Sequence, residues 1–190
     1  DGADGGGGTS ASVRLFDERL AAPPSSPDKL LASLKSAAPP KHPSIAPVAE
    51  AFAVGAGVVV AYPTTTAKPL SLWLEEGRGV QAGQAVVFLR RLAPALDAAH
   101  RAGRPHGGLE PGCILVGGAG TVTLEDFGLA AAVAAAGVPS PGLPAYAAPE
   151  LASSRPTPAA DLYSLGILLY ELMTGRHPFE GPNLQAMKAE

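Results

Sequence analysis

The fold of this chain is decided by two short stretches, HGGLEPGCILV at residues 106–116 and DFG at residues 126–128. The first stretch ends in an apolar run from Cys113 to Val116, and a second such run follows at 121–124. Between them lie the glycine-rich residues 117–120, and glycine supplies the positive φ angles that tight turns need. The pattern predicts a β-hairpin over residues 113–124. Its first strand is the end of the first stretch, and DFG follows its second strand.

The composition of the 190 residues bounds the class of protein. The chain is 46% hydrophobic and 5% aromatic, which predicts a folded domain with a core mainly of Ala, Leu and Val. A net charge of −3 gives no electrostatic argument for binding nucleic acid or an acidic membrane surface. No apolar run approaches the roughly 18 residues of a membrane span, and the Gly-rich, acidic first ten residues are not expected to act as a signal peptide. Cys113 is the single cysteine, so we expect a reducing, cytoplasmic location.

The first third of the chain is predicted to be rich in strands. Residues 1–12 form a glycine-rich, flexible lead-in, and no strand precedes their glycines as a phosphate-binding loop would require. Residues 13–16 predict a short strand, residues 52–62 a hairpin, and residues 64–69 a loop.

A short helix is predicted between these strands. Asp28 suits its N-cap, Leu30, Leu31 and Leu34 fall on one face, and the pair Pro39-Pro40 ends it.

The rest of the chain is predicted to be rich in helices. Residues 80–101 predict an amphipathic helix whose apolar face carries Val86, Leu89, Ala93, Leu96 and His100. Pro94 lies inside this pattern, so we expect a kink or a loss of stability there. Residues 130–144 predict a loop, and residues 161–174 a helix that is apolar nearly all round and therefore buried. Strands followed by helices indicate an α+β fold with two lobes.

From about residue 13 onward the sequence resembles the bacterial serine/threonine protein kinases, most strongly over residues 84–181. The motifs that carry the resemblance, besides the two opening stretches, are HPSI at 42–45, LDAAH at 96–100, APE at 148–150, DLYSLG at 161–166, YEL at 170–172, TG at 174–175 and HPF at 177–179. Several such motifs in the right order imply a two-lobed protein-kinase-like fold, whereas DFG alone would imply little. On this resemblance, residues 13–66 form a reduced N-lobe and residues 67–190 a C-lobe that is incomplete at its C-terminal end.

The resemblance implies three chemically active positions in the first stretch, and all three have changed. Gly108 stands where a kinase carries the carboxylate that accepts the proton of the substrate hydroxyl. Glu110 replaces the lysine near the transferring phosphate and would repel it. Cys113 replaces the asparagine that holds a second metal ion, and a thiol suits Mg²⁺ poorly. Whether the chain is an enzyme is therefore open.

The resemblance also implies ATP with Mg²⁺ as a cofactor, held by the DFG residues Asp126, Phe127 and Gly128. Asp126 either holds one Mg²⁺ or persists because the turn suits it. Leu115 either lies under an adenine ring or is an ordinary residue of the hydrophobic core. Arg14 either takes the place of the phosphate-binding lysine or is a solvated surface residue, and no glutamate between positions 19 and 50 offers it a partner.

Other motif residues have structural roles in the resemblance. His106 is expected to pack under Phe127 as a core histidine rather than to act as a base. The helix motif contributes Asp161 and Gly166. In the APE motif, Ala148, Pro149 and Glu150, the glutamate is expected to be buried.

Phosphorylation of the loop at residues 130–144 is not expected to regulate the domain. Ser140 is the loop's single hydroxyl residue, and Gly107 replaces the arginine that would pair with a phosphate there.

Three hypotheses follow. The first is a pseudokinase, a catalytically impaired kinase-like domain that regulates or scaffolds protein partners. The second is a weakly active or atypical ATP-dependent serine/threonine protein kinase. The third is a degenerate fragment with no function of its own.

Overall fold

The computed structural model describes residues 13–16, 27–36, 39–54, 57–75, 79–135, 145–152 and 154–179. Its strands are β1 (Val13–Phe16), β2 (Glu50–Val54), β3 (Gly57–Ala61), β4 (Lys68–Pro69), β5 (Ile114–Val116) and β6 (Val122–Leu124). Its α-helices are α1 (Pro27–Ser36), α2 (Leu70–Leu74), α3 (Ala82–Arg101), α4 (Leu129–Ala135) and α5 (Pro158–Thr174). This mixture of helices and small antiparallel sheets is the predicted α+β class. The predicted lead-in at 1–12 lies outside the described residues, and the lobe boundary at 66/67 stays a prediction.

The first sheet has β3 at its centre, paired antiparallel with β1 and β2. This confirms the predicted strand at 13–16 and the hairpin, although its turn at 55–56 lies outside the described residues. Val58 and Val60 alternate along β3, and both are buried. They join Leu30 of α1 in a small hydrophobic cluster that also contains Tyr62 and Ala132.

Helix α1 differs from its prediction at its start. It begins at Pro27, so Asp28 lies in the first turn and is not the N-cap. Proline fits there because the first helical N–H groups have no partner within the helix, and an acidic residue in that turn favours the helix dipole. The predicted face is confirmed: Leu30 is buried, and Leu31 and Leu34 pack against the same cluster.

The second sheet consists of β4, β5 and β6 in that order. The predicted hairpin of β5 and β6 is confirmed, and Ala119 and Gly120 in its turn adopt φ angles of 55° and 66°. Lys68–Pro69 was expected to be loop, but it pairs with β5 as a two-residue strand because the chain runs beside that edge. On the other edge, Leu124 accepts a hydrogen bond from Ala46 N–H at 2.7 Å and donates one to the Ser44 carbonyl at 2.8 Å.

The buried face of helix α3 overlaps the predicted one only in part, because Leu96 is buried and Leu89 packs against the core while Val86 is exposed. Its buried residues are Ala85, Phe88, Leu92, Ala95, Leu96 and Ala99, and Val86 is 48% exposed. Alanine and leucine occupy two neighbouring stripes of this helix, and its small residues pack where α5 and β6 contact it. Pro94 is tolerated inside the helix because both it and Arg90, whose carbonyl loses its N–H partner, lie at the surface.

Helix α5 is well delimited. Its N-cap, Thr157, accepts a hydrogen bond from Ala160 N–H at 3.3 Å, and Gly175 ends the helix with φ 73°. Leu168 and Leu172 lie in the larger hydrophobic cluster with α3, β5 and β6. The predicted burial of α5 in the core is confirmed for one face, whereas the opposite face leaves Leu162, Tyr170 and Met173 exposed in the described part of the chain.

Helix α4 was predicted to be loop. Residues 129–135 form a helix because their run of alanines has the highest helix propensity of any residue type. Residues 136–144 lie outside the described part of the chain. Among the described residues, no helix combines the length and the apolar character needed to cross a membrane.

Candidate functional site

His106 is a buried, neutral histidine at the start of the first stretch. Its side chain is completely buried, and its Nε2–H donates to the Glu125 carbonyl at 2.9 Å. Its Nδ1 accepts from Gly108 N–H at 3.3 Å, so both nitrogens have partners in one tautomer. The ring meets Phe127 edge-on, with 4.7 Å between centroids, as expected. Burial lowers the pKa of His106 below its usual value. These contacts support a structural histidine.

Asp161 of α5 anchors the backbone of the same loop. Its carboxylate accepts from His106 N–H at 2.7 Å and from Gly107 N–H at 2.7 Å. It also contacts His100 Nε2 at 2.7 Å, and the aspartate itself is 1% exposed. Three charge-assisted hydrogen bonds to one buried carboxylate hold the loop firmly against α5.

The two glycines of the loop sit in different surroundings. Gly107 has φ 75°, and a Cβ built on it would lie 2.5 Å from the Cβ of Pro156. Gly108 is exposed, and a Cβ there would lie 3.5 Å from the Cβ of Ala130, an ordinary contact. Position 108 therefore has room for the missing side chain, whereas position 107 requires glycine.

The two other changed positions lie next to each other. Glu110 is exposed and precedes a 3₁₀ turn at Pro111–Cys113. Cys113 is 1% exposed, and its Sγ lies 3.0 Å from the Glu110 carbonyl and 3.3 Å from the Glu110 N–H. The thiol therefore closes this turn, and it is a structural element of the loop.

Asp126 begins the second stretch and is held by Tyr62. The Tyr62 hydroxyl donates to Asp126 Oδ1 at 2.9 Å and accepts from Asp126 N–H at 2.9 Å. Asp126 has φ 62°, a left-handed conformation that aspartate adopts more readily than most residues. Burial, followed by the Asp126 charge, raises the pKa of Tyr62 far above its usual value, so the hydroxyl remains a donor.

Leu115 and Arg14 stay predictions as nucleotide contacts. Leu115 is 5% exposed on β5, opposite Pro69 and Thr123. Arg14 lies on β1 opposite Val60, and its side chain lies outside the described part.

The segment after the 130–144 region packs against α5. Ala148 is fully buried, and Pro149–Ala152 forms a 3₁₀ turn. Glu150 was expected to be buried, but it is exposed because it lies on the outer side of that turn. Tyr146 donates to the Glu171 carboxylate and packs edge-on against His177. The structure gives Gly166 open space, so no close contact requires glycine there. Ser140 lies outside the described residues.

A family model, the protein kinase domain, matches residues 21–190. The chain belongs to this family.

Three relatives of this kinase domain illustrate the match. Serine/threonine-protein kinase PknA of Mycobacterium tuberculosis is 31% identical over 184 residues, covering 92% of this chain and 43% of the relative. PknL of the same species is 46% identical over 110 residues, covering 55% and 28%. PkaA of Streptomyces coelicolor is 36% identical over 148 residues, covering 74% and 27%. The chain spans less than half the length of each, and their activity is a property of those proteins.

The described side chains of this kinase domain do not by themselves form a site for Mg²⁺. Among the described residues, no three His, Cys, Asp or Glu side chains converge to hold a metal ion. Asp126 Oδ1 already accepts from Tyr62, and Cys113 is turned to the Glu110 backbone. Mg²⁺ in nucleotide sites is usually held by one or two carboxylates together with phosphates and water, so these side chains supply at most a partial set of ligands. Asp126 as a metal ligand stays a prediction.

The sequence did not predict that Tyr62 would contact Asp126 or that His100 would contact Asp161. Tyr62 is 64 positions from Asp126, and His100, assigned to a helix face, is 61 positions from Asp161. A tyrosine at the end of a strand and a histidine at the end of a helix are common, so no local pattern marks either one. Their contacts form only when the kinase domain folds.

Proposed function

We propose that this chain is a catalytically impaired protein kinase domain, a pseudokinase, that serves as a regulatory or scaffolding module. The observation that carries the proposal is Gly108, which has no side chain where phosphoryl transfer needs a carboxylate. The backbone around it keeps its anchor, because Asp161 still binds the N–H groups of His106 and Gly107. A preserved loop without its reactive group supports a role in binding rather than in transfer.

The neighbouring positions support the same conclusion. Glu110 places a negative charge on the exposed side of the loop, where it would oppose an incoming phosphate. The buried Cys113 thiol closes a turn instead of offering an oxygen to a metal ion. Restoring a single residue would therefore leave two other obstacles to transfer.

A phosphoryl-transfer assay tests the proposal. The natural protein, Asp126→Ala and Gly108→Asp are each incubated with labelled ATP and Mg²⁺, with casein and the chain itself as acceptors. We expect no transfer by the natural protein above that of Asp126→Ala. Steady transfer that Asp126→Ala abolishes would contradict the proposal.

The second candidate is a weakly active or atypical ATP-dependent serine/threonine protein kinase. Asp126 is retained, and binding that positions ATP beside an acceptor contributes much of the acceleration in such reactions. A Cβ at position 108 makes only an ordinary contact, 3.5 Å from the Cβ of Ala130, so the restored carboxylate is accommodated there. This candidate requires Gly108→Asp to raise transfer well above the natural level, and an unchanged rate counts against it.

Nucleotide binding is a separable part of the proposal. ATP, with or without Mg²⁺, would lie against Arg14, Leu115 and the DFG residues Asp126, Phe127 and Gly128. At 100 times its dissociation constant, a ligand stabilises the folded state by about 2.7 kcal/mol, which a melting curve resolves. A rise that Asp126→Ala abolishes supports a nucleotide site there, and no rise at any concentration indicates a scaffold without nucleotide.

The module would act through protein partners. We propose a cytoplasmic location, supported by the lone buried thiol of Cys113, and the net charge of −3 gives no support for nucleic acid. The third hypothesis, a degenerate fragment without function, requires a molten domain. A fixed near-UV circular dichroism signal with cooperative unfolding would count against it.

A further inference from the structure

Tyr62 makes a two-point contact with the residue that a metal ion would need. It directly follows β3, and its hydroxyl lies 2.9 Å from both Asp126 Oδ1 and Asp126 N. The bond that the Tyr62 hydroxyl donates engages the carboxylate oxygen Oδ1, and the bond that it accepts from Asp126 N–H holds the backbone. The tyrosine is 4% exposed, so the contact is shielded from competing water.

This contact and a metal ion compete for the same oxygen. Mg²⁺ binds carboxylate lone pairs at about 2.0–2.1 Å, and the Tyr62 hydroxyl proton occupies one of the lone pairs of Oδ1 and fixes the orientation of the carboxylate. The contact also restrains the left-handed backbone of Asp126, at φ 62°. Rearranging either the side chain or the backbone of Asp126 therefore requires breaking the bonds to Tyr62.

A cavity beside Tyr62 offers space for its side chain to move away from Asp126. This cavity, of about 410 Å³, lies beside Tyr62 and Phe127, between α1 and the first sheet. Its wall includes Leu34 of α1 and Val60 of β3, so it is largely apolar and suits an aromatic ring. Movement of Tyr62 into this space would release Asp126 without unfolding the sheet.

We propose that Tyr62 locks Asp126, so that a divalent metal ion binds at this carboxylate only after Tyr62 has moved away. The lock concerns ligand binding and goes beyond the proposed loss of catalysis. It also explains why the side chains around Asp126 supply at most a partial set of Mg²⁺ ligands in the present arrangement. Metal-dependent nucleotide binding by the natural protein is then weaker than the retained DFG residues suggest.

The test compares Mn²⁺ binding in four proteins. Mn²⁺ is titrated by electron paramagnetic resonance, in the presence of saturating ADP, into the natural protein, Tyr62→Phe, Tyr62→Phe with Asp126→Asn, and Tyr170→Phe. Tyr62→Phe keeps the ring and removes the two hydrogen bonds, so we expect roughly tenfold tighter Mn²⁺ binding. The double variant should lose this gain, and Tyr170→Phe, an exposed tyrosine on α5, should match the natural protein.

Two results would overturn the lock. One is equal Mn²⁺ affinity in the natural protein and Tyr62→Phe, and the other is a gain that persists when Asp126 is replaced. Near-UV circular dichroism monitors folding, and Tyr62→Met provides a second variant if the phenylalanine variant loses its signal. No phosphoryl transfer is measured, so failure of the pseudokinase proposal and failure of the lock would appear in separate experiments.

Discussion

Pro156 fills the space into which a side chain at position 107 would project. A Cβ on Gly107 would lie 2.5 Å from Pro156 Cβ and 2.6 Å from its Cγ, and the glycine has φ 75°. The arginine that the resemblance to kinases implies at this position therefore has no room beside Pro156. Arginine cannot return here by a single substitution without displacing Pro156.

The two neighbouring glycines should respond oppositely to alanine. Gly107→Ala combines an unfavourable φ with a clash, so we expect a loss of about 2–4 kcal/mol in the free energy of unfolding. Gly108→Ala makes only an ordinary contact, 3.5 Å from the Cβ of Ala130, and should change the free energy of unfolding by less than about 0.5 kcal/mol. Urea unfolding monitored by circular dichroism measures both. Equal losses at the two positions would mean that Pro156 does not crowd Gly107.

Asp161 should be the most sensitive acidic residue of the loop region. Asp161→Ala removes a buried acceptor and leaves the N–H groups of His106 and Gly107 without it, so we expect a loss of about 3 kcal/mol or more. Asp97→Ala is the matched control, because Asp97 forms an exposed pair with Arg101 and should cost about 0.5 kcal/mol or less. Chemical unfolding compares the two variants, and similar small losses would count against Asp161 as the anchor.

The buried histidine should make the domain sensitive to acid. Burial lowers the pKa of His106 from 6.5, so the unfolded chain binds its proton more readily than the folded domain does. The contribution of His106 is complete above about pH 6.5 and declines as the pH falls below that value, by at most about 1.4 kcal/mol per pH unit. Stability is measured from pH 7.5 to 5 by urea unfolding.

His106→Gln isolates this contribution, because the amide can still donate to the Glu125 carbonyl but does not titrate. The difference in unfolding free energy between the natural protein and His106→Gln should narrow as the pH falls. A difference that is constant between pH 7.5 and 5 would show that His106 does not titrate differently in the folded and unfolded states.

The buried face of α3 can be tested with two truncations. Leu92→Ala removes a fully buried side chain from the larger cluster and should cost about 2–5 kcal/mol. Val86→Ala acts on the face that periodicity alone predicted, and it should cost about 0.5 kcal/mol because Val86 is 48% exposed. Thermal unfolding ranks the two, and the reverse order would mean that α3 is rotated from its described orientation.

Local patterns predicted the elements whose signals lie within a few residues. The hairpin of β5 and β6 follows from apolar runs around glycines, whereas α5, predicted from residue 161, begins at Pro158 after its N-cap Thr157. The face of α3 was predicted only in part because alanine and leucine fill two adjacent stripes, and the packing of α5 and β6 selects between them.

The residues of the site also divide into those that a local sequence pattern marks and those that only the fold brings together. Gly108 and Cys113 were recognisable from their positions within the first stretch, whereas the partners of Asp126 and Asp161 are 64 and 61 residues away. Which tyrosine reaches Asp126 depends on how the first sheet lies against the second. No property of Tyr62 or its sequence neighbours carries that information.

The strip of chain at Ser44–Ala46 has a consequence for solubility. Through its hydrogen bonds with Leu124 it covers the outer edge of β6, while the opposite edge of the same sheet is the two-residue β4, which contains Pro69. Exposed strand edges are templates for intermolecular pairing and fibril growth, and short, proline-bearing or covered edges prevent it. In the described part of the chain, one edge of this sheet is therefore partly covered and the other is short and contains proline, which disfavours pairing with a second copy.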